Sequence, residues 1–305
     1  TTDRGEDNEA PIYPGTRLSD GTPVISDGSD IAQQDITGIR ILRVDGDTYD
    51  FAALPEPTIT GSVKAKSTVM TFSPVQYYKA ERDDVRFVAY YPEHSSYTPG
   101  GGATPAVALF NITGQQDILI SDGPLKAEYG SGKPGFTAGN PVPVYFRHQM
   151  SMIVLRVLAK DQGTVDTYGE NVTASLLNVP NQMEIKINAN GTTSFGVKSG
   201  TTTGTIAFPA FKMVVESGDP AFAPPTSTVL VHPSTNVDKI RLAFTGRAAE
   251  DYDVWVDDGT GSTRLSLEAG KTYIVTAKVT AHAILFEVQV SSWKDAGHEY
   301  IHVGS

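Results

Sequence analysis

The chain has 305 residues, of which 35 are acidic and 24 basic, for a net charge of -11, and it contains no cysteine. That length suits two ordinary domains with real hydrophobic cores. The missing cysteines exclude disulfides, thiolate metal sites and cysteine nucleophiles, and the singly scattered Lys and Arg leave no basic face for tracking a nucleic-acid backbone.

Hydrophobic residues make up 39% of the chain, yet no apolar run approaches the ~18 residues of a membrane helix, so no transmembrane segment is expected. The opening Thr1-Thr2-Asp3-Arg4-Gly5-Glu6-Asp7 lacks a signal-peptide pattern. Composition leaves two readings open: a cytosolic chain, or an exported one whose signal has been removed. Residues 1–30 are polar and rich in Gly, Asp, Pro and Ser, which reads as a mobile lead-in with one short strand at Ala10-Pro11-Ile12-Tyr13.

From about residue 36 apolar side chains recur with period two. Ile39, Ile41 and Phe51 are strand-like around a turn at Val44-Asp45-Gly46-Asp47, and strands follow near Val69 and Thr71 and at 86–92. Tyr97 to Pro105, with three consecutive glycines, reads as a loop, and Ile118-Leu119-Ile120 as a short apolar strand. The Gly- and Pro-rich stretch from Gly123 to Pro143 reads as a loop joining two domains, 1–140 and 141–305.

The second half predicts a long strand over 144–156, with Phe146, His148, Met150, Met152 and Val154 on one face. Met183, Ile185 and Ile187 alternate with polar residues before Asn190-Gly191, a strong hairpin turn signal. The same alternation marks strands at 240–244, 273–279 and 284–290, with Trp293 beyond. No window of a dozen residues carries a capped 3.6 period. Many short strands between Gly, Pro, Asn and Asp turns predict an all-β chain of two tandem β-sandwich domains.

The motifs that resemble chemistry fail on context. His298-Glu299-Tyr300-Ile301-His302 spells H-E-x-x-H, which on a helix grips zinc with two histidines one turn apart. Here strand-forming residues surround it, no third ligand follows, and in a strand the two imidazoles stand ~13 Å apart. His282 is the upstream residue that a zinc hydrolase would have to recruit. Gly130 to Gly135 matches G-x-G-x-x-G, but Pro134 opposes the helix that a dinucleotide fold requires. Gly270-Lys271-Thr272 lacks the earlier P-loop glycine, because Leu265 stands there. His148 reads as a satisfied core histidine. Asp45, Asp47 and Asp50, like Asp257 and Asp258, suit turns better than calcium. Asn111, Asn171 and Asn190 begin short glycosylation sequons. No catalytic, cofactor-binding or metal-ligating set is expected, and no enzyme.

Four segments carry a family resemblance. Phe87-Val88-Ala89-Tyr90-Tyr91-Pro92 and Gln115-Gln116-Asp117-Ile118-Leu119 resemble the "F-x-A-Y-Y-P" and "Q-x-D-(I/L)-L" segments of Bacteroides-type fimbrillins. Val144 to Met150 resembles their "v-x-F-x-H-x-(L/M)" strand, and Leu265 to Tyr273 followed by Val288 to Trp293 resembles their closing "L-x-x-G-K-x-Y … I-x-x-W" pattern. This resemblance implies transthyretin-like sandwiches and a lipoprotein precursor carried to the cell surface or outer membrane. It also implies proteolytic trimming, with Arg17 the candidate cleavage site, and assembly with other pilin subunits by strand donation. The tail after Trp293 is the candidate donor, with Tyr300, Ile301 and Val303 as its apolar members. The alternative is a non-polymerising surface lipoprotein that binds glycan or host protein through aromatics such as Tyr90, Tyr91, Tyr97 and Trp255.

Overall fold

The computed structural model describes residues 36–45, 54, 56–63, 70–74, 84–121, 125–130, 133–134, 146–219, 221–233, 236–237, 239–257 and 262–292. The first strands are β1 (Ile36–Asp45), β2 (Ile59–Val63), β3 (Met70–Ser73), β4 (Asp84–Tyr91), β5 (Ser96–Thr98), β6 (Ala106–Asn111), β7 (Leu119–Ser121), β8 (Leu125–Gly130), β9 (Lys133–Pro134) and β10 (Phe146–His148). Then come β11 (Ser151–Ala159), helix α1 (Gln162–Tyr168), β12 (Asn171–Pro180), β13 (Gln182–Ile187), β14 (Thr193–Val197), β15 (Thr203–Ala207), β16 (Phe211–Lys212), β17 (Val214–Val215) and β18 (Ser227–Val231). The chain closes with β19 (Asn236–Val237), β20 (Lys239–Phe244), β21 (Glu250–Asp253), β22 (Trp255–Asp257), β23 (Ser262–Ser266), β24 (Lys271–Val279) and β25 (Ile284–Ser292). The fold is all-β, as the period-two pattern implies.

The first sheet runs β10-β7-β4-β1-β2-β3, with β8 on β4 and β9 on β8. Leu42, Val88, Tyr90 and Ile120 on one face join the main core, while Ile39, Ile41, Phe87, Ala89 and Leu119 are buried on the other. Burial on both faces explains why Phe87 to Tyr90 reads as one apolar run without alternation. The second sheet runs β17-β11-β24-β25 with β18 beside β11, and the third runs β15-β12-β20-β21 with β16 on β12. The Phe286 ring of the second sheet lies 6.2 Å from that of Tyr252 in the third.

Two expectations need correction. The stretch 123–143 is not uniformly loop: Leu125–Gly130 pairs with β4 and continues into the β8–β9 hairpin. Its glycines and prolines obscured the alternation of Leu125, Ala127 and Tyr129 with Lys126 and Glu128. The long strand predicted over 144–156 divides at Gln149-Met150, with β10 in the first sheet and β11 in the second. β11 is buried on both faces and paired along both edges, so its residues Met152 to Ala159 need no polar side. The short helix was not legible because seven residues carry too little periodicity. Asp161 caps it, accepting from the Thr164 backbone N–H at 2.8 Å and from the Thr164 hydroxyl at 2.9 Å.

The fourth sheet, β14-β13-β6-β5, joins distant parts of the chain. The hairpin read from Met183, Ile185, Ile187 and Asn190-Gly191 forms, and its first strand adds antiparallel to β6 over Gln182–Ile187. All three apolar residues are fully buried. Next to it, the segment between β6 and β7 folds around Gln116, whose Oε1 accepts from the backbone N–H and hydroxyl of Thr113 and from the Gln115 N–H. Gly114 in this segment has φ +89°, and its carbonyl accepts from Leu230 N–H at 2.9 Å.

Two stability predictions follow from these contacts. A Cβ at Gly114 would lie 2.4 Å from Ile206 Cγ2 and 3.3 Å from Val229 Cγ1, at a φ that disfavours side chains. Gly114→Ala should therefore lower the urea-unfolding free energy by at least about 2 kcal/mol. Gly218→Ala, where a Cβ meets nothing within 4 Å, should be near neutral. The second prediction concerns His232, which is 6% exposed with its ring 5.3 Å from Phe195. Burial depresses its pKa to about 4, below the usual 6.5. Between those values the unfolded chain binds a proton that the native state refuses. This contribution is therefore complete above pH 6.5 and is lost as pH falls towards 4, at up to about 1.4 kcal/mol per pH unit. His232→Phe should flatten that limb when urea midpoints are compared across pH.

Candidate assembly edge

The strand β24 is buried along most of its length and lies between β11 and β25. β25 pairs with it antiparallel, from Lys271 opposite Ser292 to Val279 opposite Ile284. The hairpin closes through Thr280, whose N–H and hydroxyl donate to the Ala283 carbonyl while its Oγ1 accepts from the N–H groups of His282 and Ala283. Side chains on β25 alternate as its sequence predicts: Ile284, Phe286 and Val288 pack against the core, while Leu285, Glu287 and Gln289 face outward.

No described strand hydrogen-bonds the other edge of β25. That edge runs for ~30 Å. Among the described residues, the large hydrophobic side chains left exposed are Leu285, at 61%, and Val290, at 56%, both on this strand. An edge left unpaired among the described residues is a template for another strand, and here exposed aliphatic side chains flank it on both faces, Leu285 on the outward face and Val290 on the face of Ile284, Phe286 and Val288.

The β21 edge of the third sheet is protected. Its edge strand β21 carries Glu250, Asp251 and Asp253. Arg241 reaches Asp251 through two hydrogen bonds of 2.6 and 3.0 Å, and Lys239 lies 3.1 Å from Asp253. Hydrogen bonding from Arg241 holds the Asp251 carboxyl below the usual range. A row of ionised carboxylates resists an incoming strand. On β25 the one carboxylate, Glu287, is engaged by Lys278, which also holds Glu216.

The motif residues have structural partners. His148 Nδ1 lies 2.8 Å from Asp117 Oδ2. Asp117 is 4% exposed, and its second carboxylate oxygen has no hydrogen-bond partner among the described residues. This buried pair ties the segment before β7 to β10, and Gln149 N–H adds a bond to the Ile118 carbonyl. Sequence reasoning placed both residues in separate motifs without seeing that they meet. Gly270, with φ +68°, turns the chain into β24 and donates its N–H to the Met150 carbonyl. The Tyr273 hydroxyl accepts from Glu268 N–H at 2.8 Å, and the Ser151 hydroxyl donates to the Glu268 carbonyl at 2.6 Å.

The aromatic residues considered for ligand binding do not form an exposed platform. Tyr90 is fully buried, and its hydroxyl donates to His94 Nδ1 at 2.8 Å, while His94 Nε2 donates to Glu56 Oε1 at 3.0 Å. Tyr91 and Tyr97 are half-buried, and burial together with the Glu56 charge pushes the Tyr97 hydroxyl up to about 12. Trp255 lies in β22, and its side chain is outside the described residues. So are Arg17, His298, Glu299, Tyr300, Ile301, His302 and Val303. His282 is exposed in the turn before β25. Of the G-x-G-x-x-G run, Gly130 and Lys133 pair across the β8–β9 hairpin, where a dinucleotide fold would start a helix.

The family model described as fimbrillin-like matches residues 26–293. A search of curated proteins finds no match. Among solved structures, the chain is similar to a candidate cell adhesion protein of Bacteroides uniformis, at 18% identity over 84% of this chain and 91% of that one, with a TM-score of 0.59. It is also similar to a candidate cell adhesion protein of Bacteroides ovatus, at 18% identity over 86% and 90% of the two chains, with a TM-score of 0.52. At that identity the likeness is one of fold. Matched by its family model over most of its length, with the fimbrillin-resembling segments inside the matched range, the chain belongs to the fimbrillin-like family.

Proposed function

We propose that this protein is a structural subunit of a bacterial surface pilus, exported to the cell surface as a lipoprotein precursor and assembled by strand donation. Family membership supports a non-enzymatic pilus or adhesin-type subunit at the cell surface, associating with other pilus subunits. The observation that carries the assembly mechanism is the β25 edge, unpaired among the described residues, with Leu285 exposed on the outward face and Val290 exposed on the other. An incoming strand there satisfies backbone groups, and its alternate side chains pack beside Leu285 on one face and Val290 on the other. Head-to-tail repetition without ring closure then yields a fibre.

In this reading the sandwich units are transthyretin-like and span 1–140 and 141–305, with the β13–β14 hairpin linking them through β6. Cleavage after Arg17 releases the early segment. The tail beyond Trp293 donates the strand, presenting Tyr300, Ile301 and Val303 to a neighbouring subunit.

Removing residues 1–17 should produce ladders of oligomers on native gels and in mass photometry. In that background, Leu285→Lys with Val290→Lys, or deletion of residues 294–305, should return the protein to monomers. A trimmed protein that stays strictly monomeric at high concentration rules out the stalk role. Ladders that persist in the double-lysine variant place the acceptor elsewhere than β25.

A further inference from the structure

The tip of the β13–β14 hairpin carries chemistry that the assembly reading does not use. Asn190-Gly191 is the single Asn-Gly pair in the sequence. Asn190 is exposed. Its side-chain Oδ1 accepts from the Thr192 backbone N–H at 3.0 Å and from the Thr192 hydroxyl at 2.6 Å. The same hydroxyl oxygen accepts from Asn188 Nδ2 at 3.0 Å, so the three side chains form a relay that ends on the Asn190 carbonyl oxygen. Gly191 has φ +78° and donates its N–H to the Asn188 carbonyl at 2.9 Å.

Two donors converging on one carbonyl oxygen withdraw electron density from its carbon. They also stabilise negative charge on that oxygen when a nucleophile adds, as in an oxyanion hole. A hydroxyl that accepts one hydrogen bond while donating another is a stronger donor. The nucleophile within reach in the covalent chain is the following backbone nitrogen, and Gly191 presents it with no side chain in the way.

We propose that Asn190 is a self-modifying site, which the hairpin turn converts to aspartate and isoaspartate without an enzyme. The Gly191 N–H leaves the Asn188 carbonyl as the turn opens, gives up its proton to solvent base, and its nitrogen bonds to Asn190 Cγ. Solvent returns a proton to Nδ2, the Cγ–Nδ2 bond breaks and ammonia leaves, giving a five-membered succinimide. Water opens that ring at either carbonyl, to aspartate or to isoaspartate. The sum is one water consumed and one ammonia released, with no oxidation or reduction. Each conversion adds one negative charge, and the isoaspartyl product adds one methylene to the backbone at the tip of a hairpin whose other strand edge is held by β6. Asn111 and Asn171 are exposed too, but they pair with Gln182 and Lys212 in neighbouring strands and precede the β-branched Ile112 and Val172.

The test incubates the folded full chain in mildly alkaline buffer and follows tryptic peptides by tandem mass spectrometry. The peptide Ile187 to Lys198 should pass through a species lacking ammonia and gain one dalton at Asn190. The rate should exceed that at Asn111 or Asn171 by at least about tenfold. Thr192→Val should slow the conversion several-fold in the folded chain and leave it unchanged in a synthetic peptide of the same span. Asn190→Gln should remove the acidic isoform from isoelectric focusing while the protein stays folded. The proposal is overturned if Asn190 stays intact in the folded chain while the synthetic peptide converts, or if Asn111 converts as fast. None of these readouts depends on oligomer formation, so the result stands apart from that of the assembly test.

Discussion

The parallel pairing of β11 with β24, from Met152 opposite Thr272 to Ala159 opposite Val279, is the contact on which the rest of the molecule depends. It joins segments more than a hundred residues apart, so it forms only after a large loop closes. Parallel neighbours cannot be joined by a tight turn. The intervening chain therefore has to build the whole third sheet, the β13–β14 hairpin and β18 before it returns. β25 then folds back along β24 through a four-residue turn and is the outer strand of this sheet among the described residues.

The segments that resemble fimbrillin motifs stabilise this arrangement. Gln116 folds the loop that seats Gly114 against Ile206 and Val229. Asp117 and His148 connect that loop to the strand that leads into β11. Gly270, Tyr273 and Ser151 fix the turn from which β24 starts. Tyr90 spends its hydroxyl on His94 inside the first sheet. Asp117 with His148, Ser151 with Glu268 and Gly270 with Met150 join segments far apart in the sequence, while Gln116, Tyr90 and Tyr273 bond to residues within five positions and shape the local turns. Such a network makes a rigid β scaffold.

A rigid scaffold matters for a subunit whose surface does the work. Its sheet edges differ in chemistry: β21 carries carboxylates paired to Arg241 and Lys239, whereas β25 presents Leu285 and Val290. The carboxylates on β21 oppose an added strand there, whereas β25 offers exposed aliphatic side chains beside its edge. The exposed Asn190 tip stands on the separate hairpin that β6 holds, so a charge change there leaves the β25 edge chemically untouched.

Local pattern was enough to read the strand content, because alternation along Met183, Ile185 and Ile187 or Ile284, Phe286 and Val288 is set by which side chains must leave water. The same holds for the Asn190-Gly191 hairpin, where one glycine at positive φ decides the turn. Tertiary structure alone decided the division of residues 146–159 between two sheets, since an apolar run reads the same whether or not it changes partners. It also decided that Asp117 meets His148, and that Tyr90, considered for ligand binding, lies fully inside. Those outcomes rest on pairing between distant segments, and a period-two signal carries a residue's face but not the identity of the strand beside it.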